Sequence, residues 1–294
     1  EAYFQTGDME NAAAVFERFA ANYADAKEHP LALFRLGNAH YNQKQYEPAA
    51  KAYAKLAELY PDNEYIKPAL FNLALCYKNT GATDLAEETY HKYYELSGRS
   101  EEALSALWEI FNIQKTRGDL AGSLKTLNGI YGESEGKEDA LEALYQMGEI
   151  SFENNQPDEA RDHWERLAMQ KPGNSPWRLQ GLVKLGEMYE GERNYPEAAR
   201  TYEDIAKNAA TPEVAKAAAE RAKTLMRMTH QEKAAPAADE PAKAAPTDEA
   251  PPSRPGSSWE EKPGPAKAKP AAPKKRSKSV KKAGVPVRVQ DLSR

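Results

Sequence analysis

The chain has 294 residues, 40 Lys and Arg against 45 Asp and Glu for a formal net charge of −5, and 40% hydrophobic residues. Ala, Leu, Glu and Lys dominate, which favours helices over strands. No run of about eighteen apolar residues is present to form a transmembrane helix, and a single cysteine, Cys76, excludes an internal disulfide or a multi-cysteine zinc site.

Self-similarity organises the first three quarters of the sequence. Small residues recur at Ala12, Ala49, Ala86, Ser123, Ala160 and Ala198, a step of about 37, and four residues beyond each stands a bulky one: Phe16, Tyr53, Tyr90, Leu127, Trp164 and Tyr202. Twelve residues before the last five small positions lie Gly37, Ala74, Phe111, Gly148 and Gly186, each preceded by an apolar residue. This register predicts two antiparallel helices per unit, a small residue on each admitting close approach and a large one filling the space between units.

In chain order, residues 1–5 read as the last turn of a first helix that begins before Glu1, so a processed or truncated precursor with further repeats upstream is expected. Asp8, Asp119 and Asp158 fall near the starts of second helices and favour the dipole there. Pro61 and Pro172 close second helices, while Pro30, Pro68, Pro176 and Pro212 sit near helix starts, where a missing N–H costs nothing. The middle unit departs from the others, with Phe111, Gln114 and Ser123 at its key positions. Residues 212–228 read as a final helix capping the stack.

From residue 230 the periodicity stops and eleven of the 20 prolines follow, with too little apolar surface for a fold, so residues 230–294 are expected to be a disordered tail. Residues 231–261 carry seven acidic and three basic side chains, whereas 266–294 carry ten Lys or Arg against Asp291 alone. The basic cluster of Lys274, Lys275, Arg276, Lys278, Lys281 and Lys282 suits an anionic partner or a contact with the acidic repeat body; the plainer expectation is a solubilising tail. Val285, Val287 and Val289 alternate as a strand added to a partner's sheet edge would.

The pattern resembles the tetratricopeptide repeat family, whose motif runs apolar-x-x-Leu-Gly-x-x-Tyr, then Ala-x-x-x-Phe, then Pro. Leu33, Leu36, Gly37, Ala49, Tyr53, Leu56 and Pro61 carry it best; Leu144, Met147, Gly148, Ala160 and Trp164, and Leu182, Leu185, Gly186, Ala198 and Tyr202, repeat it. The resemblance implies an all-α, right-handed superhelical solenoid of antiparallel helix pairs over residues 1–229: the second helix of one repeat, five full repeats and the cap. The long step and the phrase from Ala69 to Leu73 resemble the bacterial envelope members of the family, the YbgF/CpoB and BamD types. That implies a periplasmic or envelope-associated adaptor; a cytoplasmic assembly factor whose basic tail contacts nucleic acid or another polyanion is the alternative.

The same resemblance implies a partner-binding groove lined by the first helices. Projected onto this sequence, it comprises Phe34, Asn38, Tyr41 and Asn42, then Phe71, Lys78 and Asn79, then Trp108, Asn112 and Lys115, then Tyr145, Glu149 and Phe152, and finally Glu187. Aromatics and amides dominate its N-terminal half, where they suit a peptide. With Glu142, Glu153 and Glu190 its C-terminal half is acidic, suiting a basic ligand such as the chain's own tail. The competing expectation is that many of these side chains merely pack between units.

Catalytic chemistry finds little support. Residues 132–136 fit G-x-S-x-G, but a nucleophile elbow needs a strand leading into the turn and this segment lies between helices. The five histidines show no metal-ligand spacing, and no phosphate-binding glycine loop is present. His40, at the motif Tyr position, is expected to be a packed core histidine and Cys76 a small buried hydrophobe. No cofactor, metal or small-molecule substrate is expected.

Overall fold

The computed structural model describes residues 2–234. These residues form thirteen α-helices and no strand. After α1 (Ala2–Gln5), the second helices of successive hairpins are α2 (Met9–Asn22), α4 (Tyr46–Leu59), α6 (Thr83–Ser97), α8 (Leu120–Glu133), α10 (Pro157–Ala168) and α12 (Tyr195–Asn208). Between them lie the first helices α3 (His29–Asn42), α5 (Ile66–Thr80), α7 (Glu101–Arg117), α9 (Glu138–Glu153) and α11 (Pro176–Gly191). The last helix, α13 (Pro212–Ala234), runs six residues past the expected end at 228. Each helix packs on the next in sequence, and first helices also touch across repeats, α3 on α5 and α9 on α11. This is a helical-repeat solenoid.

Local chemistry sets the helix ends. The side chains of Asp8 and Asp119 accept hydrogen bonds from the N–H groups of Asn11 and Gly122, satisfying donors that an α-helix leaves free. Pro176 and Pro212 are each the first residue of a helix. Every hairpin turn contains a left-handed residue, and these too recur at the repeat step: Gly7, Lys44, Gly81, Gly118, Asn155 and Arg193, with φ between 59 and 81°. Glycine takes this conformation freely, whereas Lys44 and Arg193 hold it against their own Cβ atoms.

The core runs along the stack, with Tyr53, Tyr90 and Trp164 among its largest fully buried side chains. Each hairpin is built on a pair sixteen residues apart. A Cβ at Gly37 would stand only 2.4 Å from the ring of Tyr53, and one at Gly186 would stand 3.0 Å from Tyr202. Ala74 pairs with Tyr90, while in the third full repeat the sizes are exchanged: Phe111 is on the first helix and Leu127 on the second, both buried in the same core cluster. That repeat also buries a polar network, in which Thr126 donates to Gln114 Oε1 (2.8 Å) and Gln114 Nε2 donates to Glu87 (2.7 Å). At the C-terminal end Leu225 of α13 is buried with Ala198 and Ala199 of α12, and Ala218 with Leu182 and Ile205.

Candidate protein-binding face

The expected groove residues all lie on the first helices, and many turn out to be joints between repeats. Three aromatics three residues before the Gly position reach the start of the next first helix. Phe34 stacks on Tyr65 (5.5 Å between centroids, 14° between planes), Trp108 Nε1 donates to Asp139 (2.8 Å), and Tyr145 lies tilted against Trp177 at 5.5 Å. Phe71, at the same register position, is buried edge-on against Tyr90 and Tyr93 of its own hairpin. The charged positions behave alike: Lys78 pairs with Glu109, Lys115 donates to Gln146 (3.0 Å), and Glu149 pairs with Lys184 (3.1 Å). Most of these links span 31 or 32 residues, which is the separation of facing positions on adjacent first helices.

Asn38 belongs to the interior. It is 7% exposed; Tyr53 donates to its Oδ1 at 2.6 Å and Asn72 Nδ2 lies 3.4 Å from the same oxygen. Tyr41 is half-buried against Tyr46. Asn42, Asn79, Asn112, Phe152 and Glu187 remain exposed on the face, Phe152 to 51%. Asn79 is held by its own helix, donating to the Leu75 carbonyl (2.7 Å).

The C-terminal half carries less negative charge than its sequence suggests. Lys184 covers Glu149, and Arg221 of α13 grips Glu190. Burial, with Asp139 and Glu138 nearby, pushes the Glu142 carboxyl up to about 7, so it is about half protonated at neutral pH. Burial and then Glu149 push the Tyr145 hydroxyl up to about 12. Glu153 and Glu187 are the exposed carboxylates that remain. The tail residues Lys274, Lys275, Arg276, Lys278, Lys281 and Lys282 lie outside the described residues, as does the expected tail contact.

The remaining chemical candidates are structural. Ser134 of the G-x-S-x-G segment caps α8, is 1% exposed and donates to the Ile130 carbonyl (2.5 Å). Cys76 is buried and its thiol is pushed up to about 12 by desolvation, which leaves it inert. The expectation for His40 is corrected: it lies at the end of α3, half-buried, with Nδ1 2.7 Å from Gln45 Oε1. The core histidine is His29, 1% exposed, between the Tyr60 hydroxyl (2.6 Å) and the Ala20 carbonyl (3.1 Å). Its position at the start of a first helix gave no motif signal. Among the described residues no helix is long and apolar enough to cross a membrane.

A stack of helical hairpins joined face to face at a regular spacing is the architecture of an interaction scaffold. Models of the tetratricopeptide repeat match residues 30–63 and, in a second version, residues 1–26, 68–107 and 142–168. The chain carries tetratricopeptide repeats, which indicate a protein–protein interaction scaffold. Among solved structures, the C-terminal part of a TPR repeat-containing protein from Cytophaga hutchinsonii is 15% identical, covering 79% of this chain and 96% of that one, with a TM-score of 0.43. MamA from Desulfovibrio magneticus RS-1 is 14% identical, covering 56% and 87%, with a TM-score of 0.42. No curated protein matches the chain.

Proposed function

We propose that this solenoid is a non-catalytic adaptor of a bacterial cell envelope that holds a partner protein on the face of its first helices. One observation carries the binding face. After the joints between repeats have taken up Phe34, Trp108, Tyr145, Lys78 and Glu149, a set of polar and aromatic side chains on the same helices stays exposed: Asn42, Asn79, Asn112, Phe152 and Glu187. Amides that can meet a peptide backbone, beside one half-exposed ring, make a recognition surface on a rigid support. The 37-residue step and the phrase from Ala69 to Leu73 support the envelope location.

A photo-crosslinking side chain placed at Asn112 or Phe152 in the native host should trap one partner, identified by mass spectrometry, while the same group at Lys51 on α4 should not. Equal products from all three positions would remove the first-helix face from consideration. Fractionation should recover the protein with periplasmic or membrane-associated material. Recovery in the cytosol would overturn the location and leave the binding face standing.

A further inference from the structure

Neighbouring second helices are tied together along the stack except at one seam. Between α2 and α4, His29 bridges the Ala20 carbonyl and Tyr60. Between α6 and α8, the Tyr94 hydroxyl donates to Glu133. Between α8 and α10, the Arg166 guanidinium lies over the Tyr131 ring at 5.3 Å. Between α10 and α12, Arg178 donates to the Ala168 carbonyl (2.8 Å) and to Asp204 (2.5 Å). Among the described residues no hydrogen bond, ion pair, ring contact or cation–π contact joins α4 to α6. The sequence gives the reason: Tyr94 and Tyr131 are separated by the repeat step, and one step earlier the residue is Ala57. A methyl group stands where the next two repeats place a bridging ring.

The result is an open cleft of about 620 Å³ between α4 and α6, a size typical of ligand sites. Its floor is a stripe of α5, Ile66, Leu70, Leu73 and Tyr77, spaced i, i+4, i+7 and i+11 and about 16 Å long at 1.5 Å per residue. Leu85 and Leu96 of α6, each 47% exposed, form one apolar lip. The rim is acidic: Glu58, Asp62, Glu88 and Glu95 surround it, and Lys92, the one cation that lines it among the described residues, is paired with Glu88 at 2.8 Å.

We infer that this cleft is a second docking site, distinct from the first-helix face, and that its occupant is a cationic amphipathic helix of a partner protein. A floor of helical periodicity between two helical walls takes the apolar face of a helix of about three turns. The uncompensated carboxylates of the rim select Lys and Arg on its flanks, which adds salt-dependent attraction and orientation. This site does not depend on the reading of the first-helix face, since no residue is shared.

The test uses the full chain and a fluorescein-labelled helical peptide with Leu at i, i+4, i+7 and i+11 and Lys beside them. Fluorescence anisotropy should show binding at least about tenfold tighter than for a scrambled peptide of the same composition, and tighter than for a peptide with Glu in place of Lys. Ala57→Tyr, which restores the bridging ring of the next repeats, should weaken binding about tenfold. Because a larger side chain could disturb packing, the exposed double variant Glu58→Lys/Glu95→Lys provides an independent route to a comparable loss. Circular dichroism and unfolding midpoints should match those of the unmodified chain. Equal affinity for the ordered and scrambled peptides, or unchanged affinity in both variants, overturns the site. A drop in particle mass by light scattering on introducing Ala57→Tyr would make the occupant a second copy of this chain and overturn the assignment to a cationic partner.

Discussion

The ring of Trp164 occupies the space where a side chain on Gly148 would begin; a Cβ built there would fall well inside contact with the indole nitrogen and its neighbours. Gly148 is thus what allows α9 and α10 to meet at the width of one indole. Trp164 is 1% exposed and cannot swing away. Gly148→Ala should therefore lower stability by about 1–2 kcal/mol, overpacking outweighing the helix propensity that Ala gains. Gly129→Ala, in α8 with nothing within 4 Å of the added carbon, should raise stability by about 0.5–1 kcal/mol. Urea unfolding of both variants, followed by circular dichroism, would separate the two signs.

The exchanged pair Phe111 and Leu127 makes a sharper test of the same geometry. Phe111→Ala alone should cost about 3–5 kcal/mol, since it empties a site that is 3% exposed. Adding Leu127→Tyr copies the Ala74 and Tyr90 arrangement of the preceding repeat and should recover more than half of that loss. A double-mutant cycle with additive effects would mean that the two positions do not share one space.

The hairpin turns offer a stabilising change. Lys44 and Arg193 sit at φ 59° at a turn position that three other hairpins fill with Gly7, Gly81 and Gly118. A left-handed conformation costs a residue with a Cβ about 1–2 kcal/mol, and glycine gives back about 0.5–1 through its freer unfolded chain. Lys44→Gly should thus raise stability by about 0.5–1 kcal/mol, and Gly81→Lys should lower it by a similar amount. Midpoints in urea that move in the reverse directions would contradict the turn geometry.

Glu142 makes stability depend on pH in a direction unusual for a carboxylate. An exposed glutamate ionises near 4.5, whereas folded Glu142 keeps its proton to about 7. Between those values the folded chain binds more protons than the unfolded one, so stability attributable to this group falls as pH rises through the window. Glu142→Gln should unfold close to the unmodified chain at pH 5 and at higher urea than it at pH 8. A gap of the same size at both pH values would remove Glu142 as the cause.

The hairpins were legible because their signal is steric and local: a small residue must face a large one at fixed spacing, and Gly37 with Tyr53 or Gly148 with Trp164 announce it. The helix boundaries followed from Asp8, Asp119, Pro176 and Pro212. A further periodic signal lies in Gly7, Gly81 and Gly118, whose spacing takes its meaning from the left-handed turns they occupy. The binding face was less legible. The repeat motif identifies which side of a helix a residue occupies, but not whether Trp108 will find Asp139 or Lys78 will find Glu109 across the joint. Those pairings depend on two side chains in different repeats meeting at one height, and each position alone reads equally well as a partner contact. The same limit placed the core histidine at His40 when burial belongs to His29.

The left-handed turn residues and the sixteen-residue pairs together show what this molecule keeps constant. The pair spacing is the same in all five full hairpins, yet the step from Gly148 to Gly186 is one residue longer than the steps before it. The extra residue falls outside the pair, where no ring has to find its glycine. Length is counted inside each hairpin and left loose between hairpins. An insertion in the linker around residues 169–175 should therefore change how neighbouring units are set against each other, while the same insertion inside a hairpin would dismantle the unit itself.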